Sequence, residues 1–326
     1  MGIPLTSQYY VDANRTDTYV EDGNMLTPYK TLSAAYAAAK IGATRLDPKY
    51  INLLSSITED LTMDTGHVGL QGFTNSGTYA PLFLNGTVSI VPTAGTITDN
   101  FFSITNLAIY KSVESSGNAI TVAGGAAPVR VLLDSVWTQN YNAGSAGLHV
   151  DNTGTGSVVN GRFCQFSPAN TGKAIEVVNG IVNMNNCDSS QGGAACVAMF
   201  NVQSAGVLTF TNCQLEGTAQ QMINCVGGTY AVNNLYLTQT LLTNKLATGH
   251  GITLSAGAVA IMANGGFNVL TGAGAKAING VQSANLATPP FSLVFFSNVS
   301  FANAPGTTLV RNTTVTTNKA AYSFMS

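Results

Sequence analysis

Val207-Leu-Thr-Phe-Thr-Asn-Cys-Gln-Leu215 decides the fold. It reads as two short strands broken at Thr211-Asn212. Leu208 and Phe210 point one way before the break, and Cys213 and Leu215 point the same way after it. That alternation is the mark of a strand with one buried face. With Cys213 as position zero, the template recurs at Leu107, Val136, Cys164, Cys187, Leu235, Phe267 and Val299. Three positions upstream stand Ile104, Leu133, Gly161, Met184, Phe210, Val232, Asn264 and Phe296. Five upstream stand Phe102, Val131, Val159, Val182, Leu208, Tyr230, Met262 and Val294. Two columns are thus apolar throughout, except at Gly161 and Asn264.

A repeat of variable length implies coils of different circumference. One coil cannot bury its apolar face alone, so stacked coils make a continuous core, and their strands pair in parallel. A third strand lies upstream of each glycine turn: Leu148–Val150, Ile175–Val177, Phe200–Val202, Ile223–Cys225 and Ile252–Leu254. The residue before position zero is Asn106, Ser135, Phe163, Asn186, Asn212, Asn234, Gly266 or Asn298. Stacked Asn side chains at a tight bend can bond along the ladder and tolerate unusual backbone angles.

Apolar-x-apolar, an Asn-containing bend, then apolar-x-apolar resembles right-handed parallel β-helices of the pectin-lyase type. The expected fold is all-β, a single-stranded right-handed parallel β-helix with three strands per coil and a short N-terminal capping helix. The cap is read from Thr27-Pro-Tyr-Lys-Thr-Leu-Ser-Ala-Ala-Tyr-Ala-Ala-Ala-Lys40. Pro28 suits a helix start, and Leu32, Ala35, Tyr36 and Ala39 form one face. Residues 1–50 form an opening segment with this helix, 51–304 the β-helix and 305–326 a tail or end cap. Ile51–Ile57 and Val68–Phe73 read as the first coil.

Charged residues make up only 9% of the chain and the net charge is -2, with no basic run, which argues against a nucleic-acid partner. No apolar run reaches membrane-spanning length, so no membrane insertion is expected. Met1-Gly-Ile-Pro-Leu5 begins no signal peptide. Synthesis in a host cytosol and release by lysis fits that start. Cys164, Cys187 and Cys213 share an inward column, and Cys225 also points inward, as small hydrophobes of the core. No cofactor or metal is expected, because phosphate loop, Ser/His/Asp signature and zinc motif are all missing.

The opening, from Val11-Asp-Ala-Asn14 through Pro28-Tyr-Lys-Thr31 to the Ala-rich helix, resembles β-helix proteins of bacteriophages and related viruses. The resemblance implies a virion or extracellular protein: a tail spike, fibre or capsid decoration, a homotrimer touching other virion proteins, whose role is structural or adhesion to a host glycan. The rival is a glycoside hydrolase or polysaccharide lyase on the same fold.

The outward column after the bend reads Ala108, Trp137, Gln165, Asp188, Gln214, Tyr236, Asn268 and Ser300, with Trp137 the chain's one tryptophan. Aromatic rings and amides suit sugar stacking and hydroxyl hydrogen bonds. The same column fits a subunit interface or plain polar surface. Asp188 and Glu216, two residues out of register on successive coils, come within roughly 8 Å at Cα. That suits the carboxyl pair of an inverting glycosidase; two solvated carboxylates is the other reading. The outward column of the third strand is His149, Glu176, Asn201, Asn224 and Thr253. Resemblance places a substrate groove there, lined by His149, Asp151 and Glu176. Calcium-dependent lyases need several acids and an arginine on that face, whereas Arg130 and Arg162 lie outside it. Gly249-His-Gly251 matches a polygalacturonase motif without its companion residues, so His250 reads as a loop residue.

Overall fold

The structure, a computed structural model, describes residues 7–72, 82–111, 117–140, 145–168, 171–190, 195–226, 235–255, 258–269, 276–280, 293–303, 308–312 and 323–325. The described strands pair in parallel into three ladders that run the length of a β-helix.

The first ladder begins with Gln8–Val11, Lys49–Leu53 and Val68–Gly72. It continues through the first part of Phe101–Lys111 and Arg130–Asn140, then Val158–Arg162. The ends of Lys173–Asn185 and Ala198–Thr211 follow, then Leu235–Thr238, Val259–Ala263, Leu293–Ser297 and Ser323–Met325. The second ladder, past the bend, includes Leu82–Asn85, Gln165–Pro168, Asp188–Ser189, Gln214–Gly217, Leu241–Asn244, Gly266–Val269 and Ser300–Asn303. The third includes Val88–Ile90, Ile120–Ala123, Ala146–Asp151, Gln221–Cys225, His250–Leu254, Lys276–Gly280 and Thr308–Asn312. Lys49–Leu53 and Val68–Gly72 pair with each other, so they are one ladder of two coils rather than two strands of one coil.

Residues Leu208, Phe210 and Leu215 are buried, and Phe210 meets Phe200 of the third ladder edge-on at 5.0 Å. The expected bend is present. Asn106, Ser135, Phe163, Asn186, Asn212 and Asn298 all adopt left-handed φ of 51–56°. Asn212 donates its amide to Asn186, and Asn298 to Asn264 at 3.0 Å.

Two coils need a correction. The bend residues there are Gln239 and Asn264, with φ 49° and 51°, not Asn234 and Gly266. Position zero is therefore Thr240 and Gly265 instead of Leu235 and Phe267. Leu235 and Leu237 pair with Leu208 and Phe210, which makes them first-ladder residues. Tyr230, Val232 and Asn234 lie outside the described residues.

The physical reason is that position zero accepts more than hydrophobes. The Cys213 thiol donates to Thr211 O at 3.2 Å and to Met184 O at 3.5 Å. Thr240 Oγ1 does the same to Thr238 O at 3.0 Å and Phe210 O at 3.3 Å, so its hydroxyl is satisfied although fully buried. At Gly265 a Cβ would come within 2.6 Å of Thr240 O, which leaves room only for glycine. All five cysteines are buried and free.

The capping helix spans Leu32–Ala39 and buries Leu32, Ala35, Tyr36 and Ala39, the expected face. Thr31 caps it by accepting from Ala34 N. The Glu59 carboxylate accepts from Leu32 N at 2.7 Å and Ser33 N at 2.8 Å, placing negative charge at the helix N-terminus. Tyr36 Oη accepts from Asp64 N at 2.7 Å and Thr65 N at 2.9 Å, tying the helix to the turn after Leu61–Met63. Among the described residues, no helix is long and apolar enough to cross a membrane.

Candidate functional site

Each coil lends its outward residues to columns, and two columns concentrate the chemistry. On the third ladder, His149 pairs with Glu176, Glu176 with Asn201, Asn201 with Asn224 and Asn224 with Thr253, in the expected register. The Glu176 carboxylate lies 3.1 Å from His149 Nδ1. It accepts from Lys173 Nζ at 2.7 Å and Asn201 Nδ2 at 2.9 Å. Asn224 Nδ2 donates to Asn201 Oδ1 at 2.9 Å. Burial alone would push the Glu176 carboxyl up; the bonds from His149, Lys173 and Asn201 outweigh it and hold the group at about 2. Glu176 is thus a fixed carboxylate at neutral pH, unable to act as a general acid. Asp151 accepts from Asn179 Nδ2 at 2.5 Å.

Among the described residues, no group of three His, Cys, Asp or Glu side chains is arranged to hold a metal ion. Arg130 begins a first-ladder strand, and Arg162 pairs with Asp134 at 2.7 Å on that same ladder. His250 opens a third-ladder strand instead of sitting in a loop, and its main chain bonds to Gln220 O and Asn244 Nδ2 at 2.8 Å each.

On the second ladder, Ala108, Trp137, Gln165, Asp188 and Gln214 stand in one outward column. Tyr236 does not belong to it. It pairs with Thr209 on the first ladder, displaced by the same register error that misplaced Leu235. Leu241 takes its place beside Gln214, with Gly266 next. At the other end the column gains Phe83, which pairs with Ala108 and is 40% exposed. Ala108, though outward, is only 3% exposed, and the rings of Phe83 and Trp137 stand on the rungs either side of it. The Trp137 indole Nε1 is buried without a hydrogen-bond partner. Beyond Trp137, Gln165 donates to Ser190 Oγ at 3.4 Å, and Ser167 and Ser190 share a bond of 3.1 Å. Phe83 escaped the sequence reading because its coil precedes the regular repeat, but its flanks, Leu82 and Leu84, carry the same alternation.

Asp188 and Glu216 take the predicted offset, since Asp188 pairs with Gln214 two residues before Glu216. Asp188 lies at the surface, and partial desolvation raises its carboxyl above the usual value. Glu216 is ion-paired with Lys245 of the following coil.

No protein-family model matches this chain, and no curated protein sequence matches it. Among solved structures, it is similar to pectin methylesterase from Aspergillus niger (12% identity, TM-score 0.44, covering 97% of this chain and 93% of that one). It is also similar to the A-module of the Azotobacter vinelandii mannuronan C-5 epimerase AlgE4 (11%, TM-score 0.40, 85% and 95%). Tailspike protein 3 of bacteriophage CBA120 is a third such structure (13%, TM-score 0.37, 89% and 58%). Likeness at this level says nothing of activity or ligand, and the fold rests on the paired ladders themselves.

Proposed function

We propose that this chain is a virion surface protein, a tail spike, fibre or capsid decoration, that works as a homotrimer and holds host glycan on the second ladder without cleaving it. The observation that carries the glycan reading is the Phe83–Trp137 platform over Ala108, followed by Gln165 and Gln214. Aromatic rings next to amides offer a sugar both an apolar face and hydrogen bonds. The virion part rests on the opening segment, whose strand, loop and capping helix form the arrangement that its resemblance to phage proteins implies. Fold alone decides neither point. The test is binding of the native protein to host-surface polysaccharide, wild type against Trp137→Ala, with light scattering for the mass. Loss of binding in the variant and a mass three times 33.7 kDa are expected. Undiminished binding by Trp137→Ala removes the platform from the reading.

One observation favours a second reading, an inverting glycoside hydrolase. Asp188, with its raised carboxyl, would serve as the acid, and ion-paired Glu216 as the base, roughly 8 Å away at Cα. Release of new reducing ends from the bound polysaccharide, abolished by Asp188→Asn, would establish it over the first.

A further inference from the structure

The bend column contains one residue that the fold does not explain. Among the described bends between the first and second ladders, Asn106, Ser135, Asn186, Asn212, Gln239, Asn264 and Asn298 are polar, whereas Phe163 is not. Phe163 holds φ 53° and is 61% exposed. A bulky side chain is strained in the left-handed region, and an exposed ring gains little from burial. An asparagine here would match its neighbours on both counts.

Phe163 lines a groove of ≈ 430 Å³ along the first ladder together with Leu132, Asn160, Arg162, Asn183 and Asn185. Asn183 donates to Asn160 Oδ1 at 3.1 Å, which uses one of its two N–H donors. The Arg162 guanidinium is more than half exposed, and Asp134 balances its charge at 2.7 Å. The groove therefore joins one flat apolar wall to a cluster of amides and a planar donor, with no net charge among Asp134, Arg162 and the amides. A ligand that matches has an apolar face, a rim of hydroxyls and no charge.

We infer that this groove is a second glycan site, one that takes a neutral sugar ring stacked on Phe163 with its hydroxyls on Asn160, Asn183 and Asn185. It lies on a different ladder from Trp137 and stands or falls independently of the platform there.

The experiment is saturation-transfer NMR on the native chain, with short oligosaccharides of glucose, galactose, mannose and N-acetylglucosamine as probes. Wild type is compared with Phe163→Asn, Asn183→Ala and Trp137→Ala, with Tm and mass measured for each. Expected is binding of at least one probe by wild type and a loss of tenfold or more in Phe163→Asn. Its Tm should equal or exceed that of wild type, because Asn is the residue the bend prefers, and Asn183→Ala should weaken the same probe. Four results overturn the inference. Wild type binds none of the probes. A probe is retained by Phe163→Asn and lost only with Trp137→Ala. Phe163→Asn melts lower, which makes the ring a packing residue. Phe163→Asn changes the mass, which makes it a subunit contact.

Discussion

Replacing Glu176 by Gln removes one charge from a hydrogen-bonded cluster and leaves its shape. The magnitude follows from linkage. In the unfolded chain the carboxyl takes up its proton near 4.5, whereas His149, Lys173 and Asn201 hold it in the native state to about 2. Between those values the unfolded state binds more protons, so stability is fully present above 4.5 and is lost as pH falls towards 2. At about 1.4 kcal/mol per pH unit, that interval is worth about 3 kcal/mol. The Glu176 side chain is still 14% exposed, and the water that reaches it trims the figure to about 2 kcal/mol. Urea unfolding followed by far-ultraviolet circular dichroism, at pH 7, 4.5, 3 and 2, reads the effect directly. Glu176→Gln should be less stable than wild type by about 2 kcal/mol at pH 7, with the gap closing as pH approaches 2. A variant as stable as wild type at pH 7, or a gap that persists unchanged to pH 2, refutes the reasoning.

Phe210→Ala empties a site that is 1% exposed and should cost about 3–5 kcal/mol in the same assay; Phe210→Leu should cost clearly less. Tyr36→Phe leaves Asp64 N and Thr65 N without their acceptor, a loss of about 1–3 kcal/mol. Burial pushes the Tyr36 phenol from 10.0 up to about 12, so wild-type stability should fall as pH rises across that interval, and the variant should lack that loss. Gly265→Ala drives a Cβ to within 2.6 Å of Thr240 O and should lower Tm, whereas a solvated loop glycine would tolerate it. Burial raises the Cys196 thiol to about 11 and the Cys225 thiol to about 12. All five thiols are buried, so an aromatic disulfide reagent should find none in the native protein and five after denaturation.

The solenoid was legible because period-2 alternation and stacking leave the same mark on every coil. The helix face at Leu32, Ala35, Tyr36 and Ala39 was legible because a 3.6-residue period fixes it. The third-ladder column was legible because each of its strands is anchored by two inward hydrophobes, such as Ile175 and Val177. Register failed where the inward residue was judged by hydrophobicity. Thr240 is inward because its hydroxyl reaches two carbonyls, and Gly265 because a backbone oxygen crowds it. Neither fact can be seen along one strand; both depend on the coil below. The ionisation of Glu176 was hidden for the same reason, since Lys173 is local but His149 and Asn201 come from neighbouring coils.

A solenoid offers its own standard of comparison, because every column repeats one structural environment. A residue that matches its column is explained by the fold, and one that departs from it needs another cause. The bend asks for Asn and receives Phe at 163. The outward column of the second ladder carries no other aromatic residue among the described rungs and receives rings at 83 and 137. The third asks for neutral polar groups, as at Asn201, Asn224 and Thr253, and receives His149 and Glu176. The third departure is internally satisfied, His149 and Lys173 both lying within bonding distance of the Glu176 carboxylate, so stability accounts for it. The first two leave the rings of Phe163 and Phe83 in water and that of Trp137 partly exposed, arrangements the fold gains little from. Aromatic rings held open beside amides on two adjoining ladders are what sugar recognition requires, which is why the search for a ligand belongs on those faces and not on the carboxylate of the third.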